Sequence, residues 1–162
     1  MSVNPGVRLC RAQRCAAGLV LLLTGCSQLP PTSSVAIPPI PAGAARLWIY
    51  RNDGLHDSQD RPYLRLNSEV AGISEPNGAF YRDLPPGRYT VSVDSYGVPY
   101  SNQFAQFDLA AGQTAFVSVL SMRERVGGGG DTVASRALFF TQLVPADAAR
   151  AAIAGTPFYG AR

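Results

Sequence analysis

The chain contains no lysine, a single histidine and, beyond residue 26, no cysteine. Each shortage removes a class of chemistry. With no thiol after Cys26, the stretch 27–162 forms no disulfide, no cysteine metal site and no cysteine nucleophile. His56 alone cannot build a His-rich zinc site, and as a general base it would need a nucleophile on a strained G-x-S-x-G turn, which the sequence lacks. Charge of one sign is not in excess either. The formal +3 comes from 14 arginines against 11 carboxylates, and Arg8, Arg11 and Arg14 all precede residue 26, which leaves 11 against 11 beyond it. A balanced surface offers no footprint for nucleic acid, so no nucleic-acid partner is expected. The all-arginine usage reads as coding composition rather than a physical requirement. The apolar run Ala16 to Leu23 is too short to cross a bilayer.

What is present at the start has an order. A cationic segment, the short apolar core and the small-residue stretch Leu23-Thr24-Gly25-Cys26 read as a secretory signal peptide over residues 1–25. The last four residues resemble the lipobox of bacterial lipoproteins. That resemblance implies a diacylglyceryl group on the Cys26 thiol, cleavage before it and acylation of the new amine. One acyl chain holds a protein only marginally at a membrane, whereas two hold it stably. Ser27 stands where an aspartate would favour retention at the inner membrane. By the same resemblance, the expected address is the periplasmic face of the outer membrane, with the membrane itself as partner through Cys26.

After Cys26 the composition changes twice. Residues 26–45 hold the lipid site and a proline-rich stretch that forms neither helix nor sheet interior, so they read as an extended tether. At about 3.1 Å per residue, such a tether reaches roughly 60 Å. Residues 46–144 then alternate as short strands between turn signals. Arg46 to Arg51 is rich in β-branched and aromatic side chains, and Arg88 to Asp94 alternates most cleanly. Weaker strands are expected at Tyr63–Asn67, Glu69–Ile73, Ala79–Asp83, Gln103–Ala110, Thr114–Met122 and Val133–Val144. Asn77-Gly78 suits a type I′ turn and is expected to join the strands on either side as a hairpin. Pro85-Pro86-Gly87 suits a type II turn. Over residues 145–162, Pro145, Asp147 and Gly155 bound a short helix followed by a tail. The expected fold is all-β: one antiparallel sandwich, Ig-like or prealbumin-like, of seven to eight strands with a short C-terminal helix.

Three segments, Leu47-Trp48-Ile49-Tyr50-Arg51, Asp83 to Val93 and Ala110 to Val117, resemble a family of small bacterial lipoproteins. Its domain is of unknown function and related to PEGA-like and carboxypeptidase-regulatory-like sandwiches. The similarity spans roughly residues 45–145, and Ala115 departs from it where the family often has an aromatic. The resemblance implies a fold and a location, and carries no catalytic residue.

The remaining candidates are weighed from their residues. The loop Asn52 to Asp60 is rich in oxygen ligands, but its aspartates lack the calcium-loop spacing and a terminal bidentate glutamate, so it reads as a solvated connection. Gly127–Gly130 has no following Lys-Ser or Lys-Thr and no strand-to-helix passage, so it reads as a flexible loop. No metal, cofactor or catalytic residue is expected. Asp83 and Asp94 are the carboxylates that a hydrolase alternative would use. Aromatics offer more. Trp48 and Tyr50 point opposite to Leu47 and Ile49, and Tyr81 opposite to Phe80, because strand neighbours alternate. Trp48, Tyr50 and Tyr81 therefore either pack under the C-terminal helix or form an open interaction surface for an envelope protein or, less favoured, a glycan. The expected role is a non-enzymatic binding or accessory module of the envelope; a purely structural or stress role is a further alternative. The sequence does not fix the oligomeric state.

Overall fold

A computed structural model describes residues 28–54, 57–94, 104–126 and 134–161. The signal-like segment with Cys26, His56 and Gly127–Gly130 lie outside the described residues. The chain forms β1 (Ala45–Arg51), β2 (Tyr63–Leu66), β3 (Glu69–Ile73), β4 (Gly78–Leu84), β5 (Gly87–Val93), β6 (Ala105–Leu109), β7 (Thr114–Val126), β8 (Ala134–Leu143), α1 (Ala146–Ile153) and β9 (Phe158–Ala161). These strands make two sheets, ordered β8-β7-β1-β4-β9 and β3-β2-β5-β6. The all-β sandwich with one short helix is thus observed. Its larger sheet is mixed rather than antiparallel, because β1 runs parallel to β7 and β4 parallel to β9. Among the described residues, no helix is long and apolar enough to cross a membrane.

The Asn77-Gly78 hairpin does not form. β3 and β4 belong to different sheets, and Asn77, at φ 49°, turns the chain from one to the other. Burial explains the outcome. Ala79, Phe80 and Tyr81 are all buried, so β4 needs cover on both faces, whereas Glu69 and Val70 leave β3 exposed as an edge strand. The two-residue turn that does close a hairpin is Asn67-Ser68, with both φ values positive, between β2 and β3. Gly78 permits close packing at the other turn, since a Cβ there would lie 2.9 Å from both Glu75 and the Tyr159 ring.

β1 is buried along its whole length. Its Leu47 and Ile49 join Leu64, Phe80, Val91, Val117 and Phe139 in the core between the sheets. Trp48 and Tyr50 join Tyr81, Phe116, Ala149 and Ile153 in a second core on the other side of the same sheet. One polar side chain stitches the first core. Thr141 Oγ1 on β8 accepts from the Ala105 N–H at 3.0 Å and donates to the Val91 carbonyl at 2.6 Å, both on the opposite sheet. Such a bond must be made once the groups are buried, because an unpaired buried donor costs about 1–3 kcal/mol.

The proline-rich stretch is not extended throughout: Thr32–Ser34 make a single 3-10 turn, and the stretch is packed from Pro30 onward rather than free. The Phe158 N–H donates to the Pro30 carbonyl at 2.9 Å, and Pro31 forms an isolated bridge with Pro157. Thr32 is buried and places both its N–H (2.8 Å) and its Oγ1 (2.7 Å) on the Thr156 carbonyl. Ile37 packs against the second core. Proline cannot donate to a ladder, yet its carbonyl still accepts, and that is how this strap is held. The folded unit therefore extends beyond 46–144 at both ends.

Candidate functional site

Trp48, Tyr50 and Tyr81, candidates for an open interaction surface, lie beneath α1, no more than 6 % exposed. The covered alternative is the one the structure adopts. α1 is amphipathic, with Ala149 and Ile153 inward, and a helix this short persists only through such packing. The Trp48 ring stands 5.1 Å from that of Tyr81 and 6.0 Å from that of Phe158, and Tyr81 and Phe158 stack at 6.0 Å. Burial holds the Tyr50 hydroxyl above its ordinary pKa, an effect partly opposed by its hydrogen bond with Ser118.

Arg46 closes this cluster at the strap side. Its guanidinium donates to both Asp83 oxygens, Nε to Oδ1 at 2.7 Å and Nη2 to Oδ2 at 2.8 Å, and Nη1 donates to the Pro38 carbonyl at 2.7 Å. The cation also sits 4.1 Å from the Tyr81 ring centre. The hydrogen bond to Asp83 raises the Arg46 pKa against the opposing effect of burial. One residue thereby ties strap, β1, β4 and the aromatic cluster together.

A second arginine does comparable work at the other end of β1. Arg51, 1 % exposed, donates to the backbone carbonyls of Ser58 and Asp60 and lies 5.0 Å over the Phe139 ring. Burial lowers its pKa, while Asp57, Asp53 and Asp60 oppose that shift. Among the described residues its Nε has no hydrogen-bond partner, and neither does Ser74 Oγ; both residues line the same small apolar pocket with Ile49, Phe80 and Tyr159. Sequence reasoning placed Arg46 and Arg51 in a strand but missed their burial. The available signal was Asp53, Asp57 and Asp60, a run of carboxylates close behind a cation.

The two carboxylates considered for hydrolysis are separated. Asp83 ends β4 in the larger sheet on Arg46, whereas Asp94 follows β5 in the smaller sheet and takes Arg65 Nε and Nη2 at 2.7 and 2.9 Å. Among the described residues, no group of three or more His, Cys, Asp or Glu is placed to hold a metal ion. An open cleft with about 470 Å³ of empty volume, partly solvent, lies between β6 and the β7–β8 region. Phe107, Leu143 and Val144 line it together with Asp108, Gln113 and Thr114. Leu143 is half exposed there. Apolar side chains left open at a concave place are what a partner segment or a small apolar ligand would cover.

No curated protein matches the chain. Residues 41–130 match the family model described as a protein of unknown function, DUF2846. The matched stretch spans β1 to β7 and leaves the strap before residue 41, β8, α1 and β9 outside it. More than half of the chain is covered, and the protein belongs to the DUF2846 family of proteins of unknown function.

Proposed function

We propose that this protein is a non-enzymatic envelope lipoprotein, fixed through acylated Cys26 to the periplasmic face of the outer membrane, whose sandwich is a binding or accessory module. The observation that carries the anchor is the order Arg8-Arg11-Arg14, Ala16–Leu23 and Leu23-Thr24-Gly25-Cys26, with Cys26 the last thiol of the chain. The likeness to PEGA-like and carboxypeptidase-regulatory-like sandwiches belongs to the same reading. Support for a binding role rather than chemistry comes from the ionisable groups. Asp83 and Asp94 lie on different sheets, each engaged by an arginine of its own sheet, and the open cleft sets Phe107 and Leu143 beside Asp108, Gln113 and Thr114. Its partner is then another envelope protein presenting an apolar segment.

The test is metabolic labelling with palmitate, together with crosslinking in intact cells and mass spectrometry of what co-purifies. Wild-type protein takes up label on Cys26. Cys26→Ser remains an unlabelled, uncleaved precursor. Recovery of Cys26→Ser as a normally processed, membrane-bound protein overturns the anchor.

A further inference from the structure

The stretch joining the anchor to the folded body is only three residues long. Pro30 and Pro31 are docked on Phe158 and Pro157, and Thr32 is held on Thr156. Only Ser27, Gln28 and Leu29 separate Cys26 from that docked point. Four peptide steps span at most about 14 Å. A free 19-residue tether would let the body tumble well clear of a membrane; a strap packed from Pro30 onward does not.

The docked point lies at one end of the sandwich. Thr156 Oγ1 contacts Asn52 at 3.4 Å, which places the β1–β2 loop there. The Phe158 end of β9 pairs with Ala79, which places the β3–β4 turn there as well. From that end β1 runs back to Ala45, opposite Leu84, and the Gly112 N–H donates to the Ala44 carbonyl at 2.7 Å. The Pro85-Pro86 and Ala110–Gln113 turns therefore occupy the other end, roughly 20 Å away along β1.

We propose that the end bearing Asn52–Gly54, Glu75–Asn77 and the α1–β9 corner faces the phospholipid surface, with the Pro85-Pro86 and Ala110–Gln113 turns directed away from it. This rests on the acylation of Cys26. Asp53, Asp57, Asp60 and Glu75 gather there, Arg61 is paired with Glu75 at 3.0 Å, and β7 and β8 continue past Arg51 at the same end with Arg123, Glu124, Arg125 and Arg136, so residues of both charge signs stand at that end. Adhesion comes from the acyl chains, with exposed Leu29 beside them at the headgroups. The orientation leaves the cleft at Phe107 and Leu143, next to the Gln113 turn, open toward the aqueous side.

The experiment uses acylated full-length protein purified from cells and placed in phosphatidylcholine nanodiscs that carry a headgroup nitroxide. A fluorophore is attached through Asp53→Cys in one sample and Ala111→Cys in another, both at exposed positions. The mass on Cys26 is measured in each sample. The label at position 53 is expected to be quenched several-fold more strongly than the label at 111. Equal quenching, or stronger quenching at 111, with the acyl mass present, overturns the orientation and leaves the anchor standing. Absence of the acyl mass overturns the anchor and this orientation with it.

Discussion

The two sheets bury their outer faces to different extents, and the difference shows which parts of the chain complete the fold. The four-stranded sheet shows water an outer face of Arg65, Arg88, Thr90, Ser92 and Asp108, tied together by Arg65–Asp94 and Arg88–Asp108 pairs. The five-stranded sheet buries its outer face beneath α1 and the strap, and fills that space with Trp48, Tyr50, Tyr81 and Phe116. Alternating polar and apolar strands suit the first arrangement, and strands that are apolar on both faces require the second. The segments that cover the second face come from the two ends of the chain, Pro30 to Ile37 and Ala146 to Ala161. The strap end is also the one that leads to Cys26. The cover thus begins within a few residues of Cys26, the site of the proposed anchor.

The largest test of this contrast sets one core against the other. Phe139→Ala opens the core between the sheets, and Trp48→Ala opens the core under α1. Each removal of a buried aromatic is expected to cost about 3–5 kcal/mol in denaturant unfolding. If Trp48→Ala costs under about 1 kcal/mol, below the range for a buried aromatic, then the helix and strap collapse onto the gap and the second face is a loose cover.

That second core was half legible. Alternation along β1 and β4 separates Trp48, Tyr50 and Tyr81 from Leu47, Ile49 and Phe80, because the side-chain period of a strand is two. Pro145, Asp147 and Gly155 likewise mark α1 from local chemistry. What covers the aromatics depends on contacts distant in sequence. Pro30 and Pro31 read as tether because proline composition fixes an extended backbone but says nothing about which N–H groups will reach its carbonyls. β9 follows Pro157 and contains Gly160 at φ 104°, so it carries little strand signal of its own; its pairing with β4 supplies the order. Asn77-Gly78 misleads for the same reason. A turn's local preference fixes the sharp bend, while the burial demanded by Phe80 and Tyr81 decides which sheet the chain enters next.

A smaller effect probes how the strap is fastened. Arg46→Met keeps the stem that covers Tyr81 and removes the donors to Asp83 and Pro38. The Asp83 carboxylate, 23 % exposed in its side chain, regains water, so the expected loss is about 1–3 kcal/mol rather than the larger penalty of a fully buried unpaired charge. The informative readout is local. Amide exchange at Thr32 and Phe158 accelerates in the variant, while amides of β5 and β6 keep their protection. Unchanged exchange at Thr32 and Phe158 dissociates Arg46 from the strap. Because the hydrogen bond to Asp83 raises the Arg46 pKa, the arginine's share of this stability is fully present below its ordinary, strongly basic value and is lost only above the raised one, so this cation makes no switch near neutrality.

The smallest effect belongs to the exposed face, and there the expected finding is a titration without a stability change. Arg88 and Asp108 oppose each other across β5 and β6, with Nε 3.0 Å from Oδ1, but their side chains are 79 % and 72 % exposed. The hydrogen bond from Arg88 holds the Asp108 carboxyl below its ordinary 3.8. A depressed acid stabilises the fold above its unfolded pKa and loses that contribution as the pH falls through the folded value. The relevant window is therefore strongly acidic, and at neutral pH the pair is fully formed. Solvent and salt screen it, so Arg88→Ala should leave the melting temperature at neutral pH unchanged within error. In a carboxyl NMR titration the same variant should return Asp108 toward 3.8. A marked fall in melting temperature would mean that the bare sheet depends on its ion pairs in the way its covered neighbour depends on α1, and the contrast between the two faces would disappear.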